Sequence, residues 1–290
     1  MSEDDEAGRR DLRPSAMMAR LGSDFATRLV SGLVMGAVAA LFTFTGAIPF
    51  AVLVIAVAAL LSWEWGRLIH GGGGDVVIAV QIATVALAAV LAALEKVGLG
   101  LVILPIGAIL ALVLSLGSNS IFSALGVFYA GVPAVALIWL RSDKTLGLLA
   151  VVFLIVIVIA SDTAGLLAGR LIGGARLYPR LSPNKTWAGF VAALGASAAV
   201  GALFYFFVAD ASPLRLAGIG CLLSLVAQAG DLFESAVKRR FGAKDAGTLI
   251  PGHGGVMDRV DGLAAVASVA GLMGLYINVY APAHALLVGS

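Results

Sequence analysis

Glu234 and Ser235 follow Asp231 at intervals of three and four residues, and Asp258 and Asp261 repeat the three-residue step. On helices, each set would share one face. Between them lie Lys238, Arg239, Arg240, Lys244, Asp245, His253 and Arg259, in a chain that is only 12% charged. Clustered carboxylates are hard oxygen ligands of the kind that hold Mg²⁺, usually together with substrate phosphates. Lysine and arginine supply the charge-assisted hydrogen bonds that hold phosphate oxygens. The stretch from Gly230 to Gly262 therefore reads as a metal-and-phosphate site. The plainer role for these acids is to neutralise their basic neighbours, which applies most to Glu234 and Asp245.

Gly252 to Gly255 surround His253 with backbone that can approach an anion closely and aim N–H groups at it. His253 reads as a phosphate donor or as a turn-stabilising side chain. A zinc site is disfavoured, because His70 and His284 lie on distant segments and Cys221 is the only cysteine. The same count excludes an intrachain disulfide. A second polar block, Ser182 to Phe190 (SPNKTWAGF), stands at the mouth of an apolar run. There Ser182 and Thr186 can cap or donate, Lys185 can hold phosphate, and Trp187 suits a membrane interface. Asp162 lies inside another apolar run. A carboxylate there needs a polar cavity or a cation such as Arg170. Glu64, between Trp63 and Trp65, reads as an interfacial ion pair with Arg67.

The elements that position these residues are membrane spans. The chain is 60% hydrophobic, with a mean hydropathy of +1.03, whereas soluble domains are about half apolar and about a quarter charged. Runs near the ~20 residues needed to cross a bilayer fall at 25–44, 47–64, 76–94, 98–116, 121–140, 145–168, 187–208, 214–233 and 262–281. The expected fold is an all-α polytopic bundle of about nine transmembrane helices. Residues 1–24 form a polar tail and 282–290 a second tail. The region 25–168 holds the N-terminal helices, and 169–281 the catalytic part, with loops 169–186 and 234–261. With the N-terminus in the cytoplasm, all but four of the 19 Lys and Arg residues fall inside, the four being Lys96, Arg141, Lys144 and Arg215. That is the positive-inside pattern, and it puts both charged loops on the cytoplasmic face. Gly32 and Gly36 make a small-xxx-small pair on the first span, a route to a homodimer. Pro105 and Pro133 fall within spans, where neighbouring helices can satisfy the freed carbonyls.

The order Ser235, Lys238-Arg239, Lys244-Asp245, Gly247, Pro251, His253-Gly254-Gly255, Asp258-Arg259, Asp261 resembles the signature of the phosphatidate cytidylyltransferases, the CDP-diacylglycerol synthases. It extends over 27 positions, far more than a short glycine motif. The Ser182 block is similar to the family's S-P-x-K-T-W run, with Asn184 where Lys is frequent and Ala188 where an acid is frequent. Asp162 and the segment Phe128–Arg141 are also family-like. The resemblance implies transfer of CMP from CTP to phosphatidic acid in phospholipid biosynthesis, giving CDP-diacylglycerol and pyrophosphate. It implies Mg²⁺ on Asp231 and Asp258, with a second cation left open. Asp261 would be a further ligand or an orienting group, and Lys238, Arg239 and Lys185 would hold phosphates. Substrate contacts would come from Asp162, Ser182, Thr186, Ser235, Lys244, His253, Gly254, Gly255 and Arg259. The setting implied is a bacterial inner membrane, with membrane lipids rather than nucleic acid as partners. Two other readings stay open: another lipid-phosphate enzyme, such as a polyprenol kinase relative or a CDP-alcohol phosphotransferase, and a transporter coupled through Asp162. The CDP-alcohol phosphotransferase pattern does not occur here at the required spacing, a kinase is separated by testing CTP incorporation against simple phosphate transfer, and a transporter leaves the basic loop unexplained.

Overall fold

The computed structural model describes residues 14–117, 119–179, 181–247, 249–250 and 254–289, with side chains from Val30 onward. Its helices are α1 (Pro14–Thr45), α2 (Ala47–His70), α3 (Asp75–Ala93), α4 (Val97–Leu114), α5 (Ser120–Ser142), α6 (Gly147–Leu171), α7 (Trp187–Leu203), α8 (Pro213–Arg240), α9 (Met257–Ile277) and α10 (Pro282–Leu287). Among the described residues, eight helices are long and apolar enough to cross a membrane, from α2 through α9, and α1 adds a shorter apolar stretch at Val30–Thr45. The protein is an all-α polytopic membrane bundle, as its composition requires.

Local signals set several boundaries. Ser212 accepts a hydrogen bond from the Arg215 amide at 3.4 Å, with Pro213 in the first turn of α8. Thr186 accepts from the Gly189 amide at 3.1 Å and so caps α7. Each satisfies an N–H that the first helical turn leaves without an intrahelical partner. Pro105 and Pro133 both lie within continuous helices.

Three features differ from the sequence reading. Helix α1 starts at Pro14, inside the segment expected to be a tail. The segment expected to be a C-terminal tail folds into α10, whose Ala283, Ala285, Leu286 and Leu287 are fully buried. Its pattern is too short to stand out from the long spans beside it. The loop 169–186 contains an antiparallel hairpin of β1 (Arg176–Tyr178) and β2 (Ser182–Thr186), with Arg176 opposite Thr186 and Tyr178 opposite Ser182. Gly173 and Gly174, at φ +68° and +91°, turn the chain from α6 into it.

Two apolar clusters make up the core. One joins α2 to α5 with Val237 and Met257, and the other joins α6, α8, α9 and α10. In lipid, helices associate by close packing rather than by expulsion of water, and small residues permit it here. A Cβ on Gly220 of α8 would collide with the Ser197 carbonyl oxygen of α7, and one on Gly201 of α7 would collide with the Leu216 carbonyl oxygen. Gly230 of α8 faces α9 in the same way: a Cβ there would stand 2.6 Å from Ala265 Cβ and 3.0 Å from the Asp261 carbonyl oxygen. That crossing brings Asp231 and Asp261 together.

Gly220→Leu should therefore prise α7 from α8 and lower the melting temperature in detergent, because overpacking of this kind costs about 1–3 kcal/mol. Gly218→Leu, where a Cβ meets nothing within 4 Å, should melt like the parent protein. Equal melting of the two variants would contradict the packing described.

Candidate functional site

The charged residues converge at one end of the bundle, inside the spans. Asp162 and Asp231 each lie nine residues before the end of their helix, at Leu171 and Arg240, roughly 14 Å along the axis at the α-helical rise. Asp258 and Asp261 sit in the first turns of α9, which starts from the same end.

Lys238 ties α8 to α9. Its Nζ lies 2.6 Å from Glu234 Oε2 and 2.6 Å from Asp258 Oδ1. The three side chains are almost enclosed, at 12%, 1% and 9% exposure. The other Asp258 oxygen accepts from the amides of Ala246 (3.0 Å) and Gly255 (2.9 Å). Lys185, at the end of the hairpin, places Nζ 2.6 Å from Asp231 Oδ2 and so docks the hairpin on α8. The Ser235 hydroxyl donates to Asp231 Oδ1 at 3.4 Å.

Glu64 is the principal departure from the sequence reading. It is fully buried and accepts the amides of Val256 at 2.9 Å and Met257 at 2.6 Å. Helix α9 has no side-chain cap of its own, and a carboxylate from α2 takes that place, where the helix dipole favours negative charge. Arg67, the expected partner of Glu64, instead lies 3.9 Å from the exposed Asp75. The glycines of the loop follow from this. A Cβ at Gly255 would come within 2.7 Å of Glu64 Oε1, and one at Gly247 within 2.8 Å. Gly254 holds φ +86° beside Asp258. The loop does wrap its amides around anions, as its glycines suggest, but the anions are the protein's own Glu64 and Asp258.

Asp231, Glu234 and Asp261 form the group with metal-like spacing: one oxygen from each lies within 4.8 Å of the others. Glu234 Oε1 is buried with no hydrogen-bond partner among the described residues. Asp162 faces the same space, within electrostatic reach of Asp231 and Lys185. Among the described residues it forms no ion pair with Arg170. There, five carboxylates meet only two ammonium groups, an imbalance that suits a bound cation. Of the sequence-based metal pair, both oxygens of Asp258 are engaged by Lys238 and backbone amides, and those of Asp231 by Lys185 and Ser235; Asp231, not Asp258, belongs to the group with metal-like spacing.

The remaining expected residues are more dispersed. Arg239 is exposed and donates to the Ala243 carbonyl at 3.1 Å. Lys244 is exposed, and Ser182 is half-buried in β2. Arg259 is exposed on the face of α9 turned towards α1 and α2, where it lines an apolar cavity. His253, with Pro251 and Gly252, lies outside the described residues. Sequence reasoning passed over Tyr129. Its ring packs on Trp65 at 4.7 Å and on Phe233 at 6.0 Å. Its buried hydroxyl has no hydrogen-bond partner among the described residues, and Asp261, Glu234, Asp258 and Asp231 are within electrostatic reach. A phenol in the middle of an apolar helix was the available signal.

Together these features define a membrane-embedded bundle with an acid-rich, lysine-bridged cluster at one end. The chain belongs to the Cytidylyltransferase family, whose sequence pattern matches residues 26–277. It is 38% identical over 253 residues to the phosphatidate cytidylyltransferase of Brucella suis biovar 1 (strain 1330), covering 87% of this chain and 94% of that protein. The like-named protein of Brucella melitensis biotype 1 is equally similar. That of Staphylococcus aureus (strain COL) is 39% identical over 144 residues, covering 49% of this chain and 54% of its own.

Glu64→Ala removes the acceptor for two helix-terminal amides. Leaving buried donors unpaired costs about 1–3 kcal/mol each, so this variant should melt well below the parent. Glu64→Gln, which keeps one acceptor oxygen, should fall between the two. An unchanged melting temperature in Glu64→Ala would show that α9 does not depend on the cap.

Proposed function

We propose that this chain transfers CMP from CTP to phosphatidic acid, forming CDP-diacylglycerol and pyrophosphate. The observation that carries the reading is the convergence of Asp162, Asp231, Glu234, Asp258 and Asp261 with Lys185 and Lys238 at one end of a lipid-facing bundle. Membership of the Cytidylyltransferase family and the names of the bacterial relatives support it. A phosphate oxygen of the lipid attacks the α-phosphorus of CTP. The new P–O bond forms as the bond to the β-phosphate oxygen breaks, and pyrophosphate leaves. The attacking oxygen is already anionic, so the protein needs no strong base. Its task is positioning and charge neutralisation, as in other phosphoryl-type transfers.

Asp231, Glu234 and Asp261 are the residues that would hold Mg²⁺, and the partnerless oxygen of Glu234 is the atom that fits one. Bound there, the ion would neutralise triphosphate oxygens. A second cation would have Asp162 as its remaining carboxylate. Asp258 acts as an orienting residue, fixing Lys238 and the turn into α9. Lys185, more exposed than Lys238, is the better placed to exchange its carboxylate for a substrate phosphate. Arg239 and Lys244 stand outside as attractors for the nucleotide. Basic residues collect at this end, so the site faces the cytoplasm of a bacterial inner membrane, with the N-terminus on the same side.

The purified protein in detergent, given phosphatidate and CTP labelled in its α-phosphate, should move label into the lipid phase and release pyrophosphate only when Mg²⁺ is present. Asp231→Ala and Asp261→Ala should each lower turnover on the order of a hundredfold or more while melting like folded protein. Transfer of the γ-phosphate instead of CMP would replace this reading with a lipid kinase.

The sidedness has its own test. Lys244→Cys in a Cys221→Ser background should react with a membrane-impermeant maleimide in inside-out vesicles and not in intact cells. The reverse labelling would invert the topology.

A further inference from the structure

The hydroxyl of Tyr129 is a polar atom at the acid-bearing end that the ion pairs and the helix caps leave unused. Tyr129 stands nine residues into α5, which starts at Ser120, roughly 14 Å along the axis at the helical rise. That start lies at the acid-bearing end, since the Phe122 ring meets Phe241, just past α8, at 5.1 Å. Asp162 and Asp231 lie equally deep in α6 and α8. The hydroxyl is buried and has no hydrogen-bond partner among the described residues. Asp261, Glu234, Asp258 and Asp231 are all within electrostatic reach, yet none of them accepts its proton.

The ring is held from two sides. It packs on Trp65 at 4.7 Å and on Phe233 at 6.0 Å. Trp65 is fully buried, and its Nε1 donates to the Phe122 carbonyl at 2.8 Å. It follows Glu64, the cap of α9, while Phe233 precedes Glu234 on α8. The phenol is therefore set by the same helices that set the acids. Burying a hydroxyl without a partner is costly, and a phenylalanine would fill this place in an apolar helix without that cost. Lys185 and Lys238 already give their ammonium groups to carboxylates. Among the described residues around the cluster, the phenol is the buried donor with no such engagement. A donor of that kind among carboxylates suits an anionic ligand whose oxygens enter between them, and it adds no charge of its own.

We propose that the Tyr129 hydroxyl donates a hydrogen bond to a substrate phosphate oxygen at the acid cluster, which makes it a substrate-binding residue of the reaction. The assignment rests on the reaction proposed above and adds to it an uncharged donor. The phenol keeps its proton throughout, and no covalent bond to it forms or breaks. Two oxygens have the required chemistry, one on the lipid phosphate and one on the α-phosphorus of CTP. A donor aimed at either gains strength as charge builds on the transferring group. Trp65 and Phe233 act through the phenol, as positioning residues.

Two experiments test this. Tyr129→Phe removes one oxygen and keeps the ring on Trp65 and Phe233, so it should melt at or slightly above the parent in detergent. It should lower kcat/KM by roughly tenfold to a hundredfold, with the Mg²⁺ concentration for half-maximal rate unchanged. A higher KM for phosphatidate alone puts the bond on the lipid phosphate, and a higher KM for CTP alone puts it on the nucleotide. A lower kcat with both KM values kept puts it in the transition state. The second experiment needs no turnover. The full chain, with 3-fluorotyrosine at position 129 alone, gives one fluorine resonance in detergent with Mg²⁺. Phosphatidate or CTP, each added singly, should shift it, whereas diacylglycerol and cytidine, which lack the phosphate, should not. Parental kcat/KM in Tyr129→Phe overturns the assignment. So does a resonance that moves as far with Mg²⁺ alone as with either substrate, which would place the hydroxyl on the metal's water. A slower variant that also melts lower, with a resonance that neither substrate moves, would leave Tyr129 a packing role only. If the parent protein transfers no CMP at all, it is the reaction that fails; if it transfers CMP with any of these outcomes, only the role of Tyr129 fails.

Discussion

The ammonium group of Lys238 is the contact on which the arrangement of acids depends. It stands between Glu234 on its own helix and Asp258 on the next, each at 2.6 Å. Burying such a group is costly, and the cost is offset only when its partners are well placed. Removal of one member of a buried set leaves uncompensated charge, at about 3–5 kcal/mol. Here the second oxygen of Asp258 is also satisfied, by two amides of the loop it faces. The loop, α8 and α9 are thus locked through one carboxylate, and the lock sets the distance between Asp231 and Asp261.

Glu64 extends this lock to the other half of the bundle. It belongs to the first apolar cluster, through its helix, and it caps the helix that carries the acids. The loop glycines then have a mechanical reason: side chains at 247 or 255 would occupy the space of the Glu64 carboxylate. A chain that must turn tightly around two buried anions cannot carry Cβ atoms there. The geometry of the acids on α9 therefore depends on α2, a helix that contributes no acid to the cluster itself.

The spans were legible because a bilayer imposes length and apolarity on each one, and every expected span has a helix in the structure. The acids at 231, 258 and 261 were legible because carboxylates are scarce in this composition and repeat with helical spacing. Their partners were not. Nothing local distinguishes Glu64 as a cap for a helix 192 residues away, and the nearby Arg67 offered a simpler pairing. Asp258 and Asp261 share a face by periodicity, but which of them turns to Lys238 depends on the crossing at Gly230. The hairpin at 176–186 was hidden because its strands are short and lack the alternation of a half-buried sheet. Tyr129 was hidden in an apolar run whose polar atom matters only once α8 and α9 are packed beside it.

The charge balance gives the arrangement its direction. Had the lysines outnumbered the acids, the cluster would attract phosphates without help and hold product as firmly as substrate. Under the proposed reaction, the excess of carboxylates over lysines would favour a triphosphate that arrives with a cation over a bare one, and the exposed basic residues of the loop would attract it. The proposed reaction brings together two anions that would repel each other in water, and both signs of charge stand at fixed distances where they would meet.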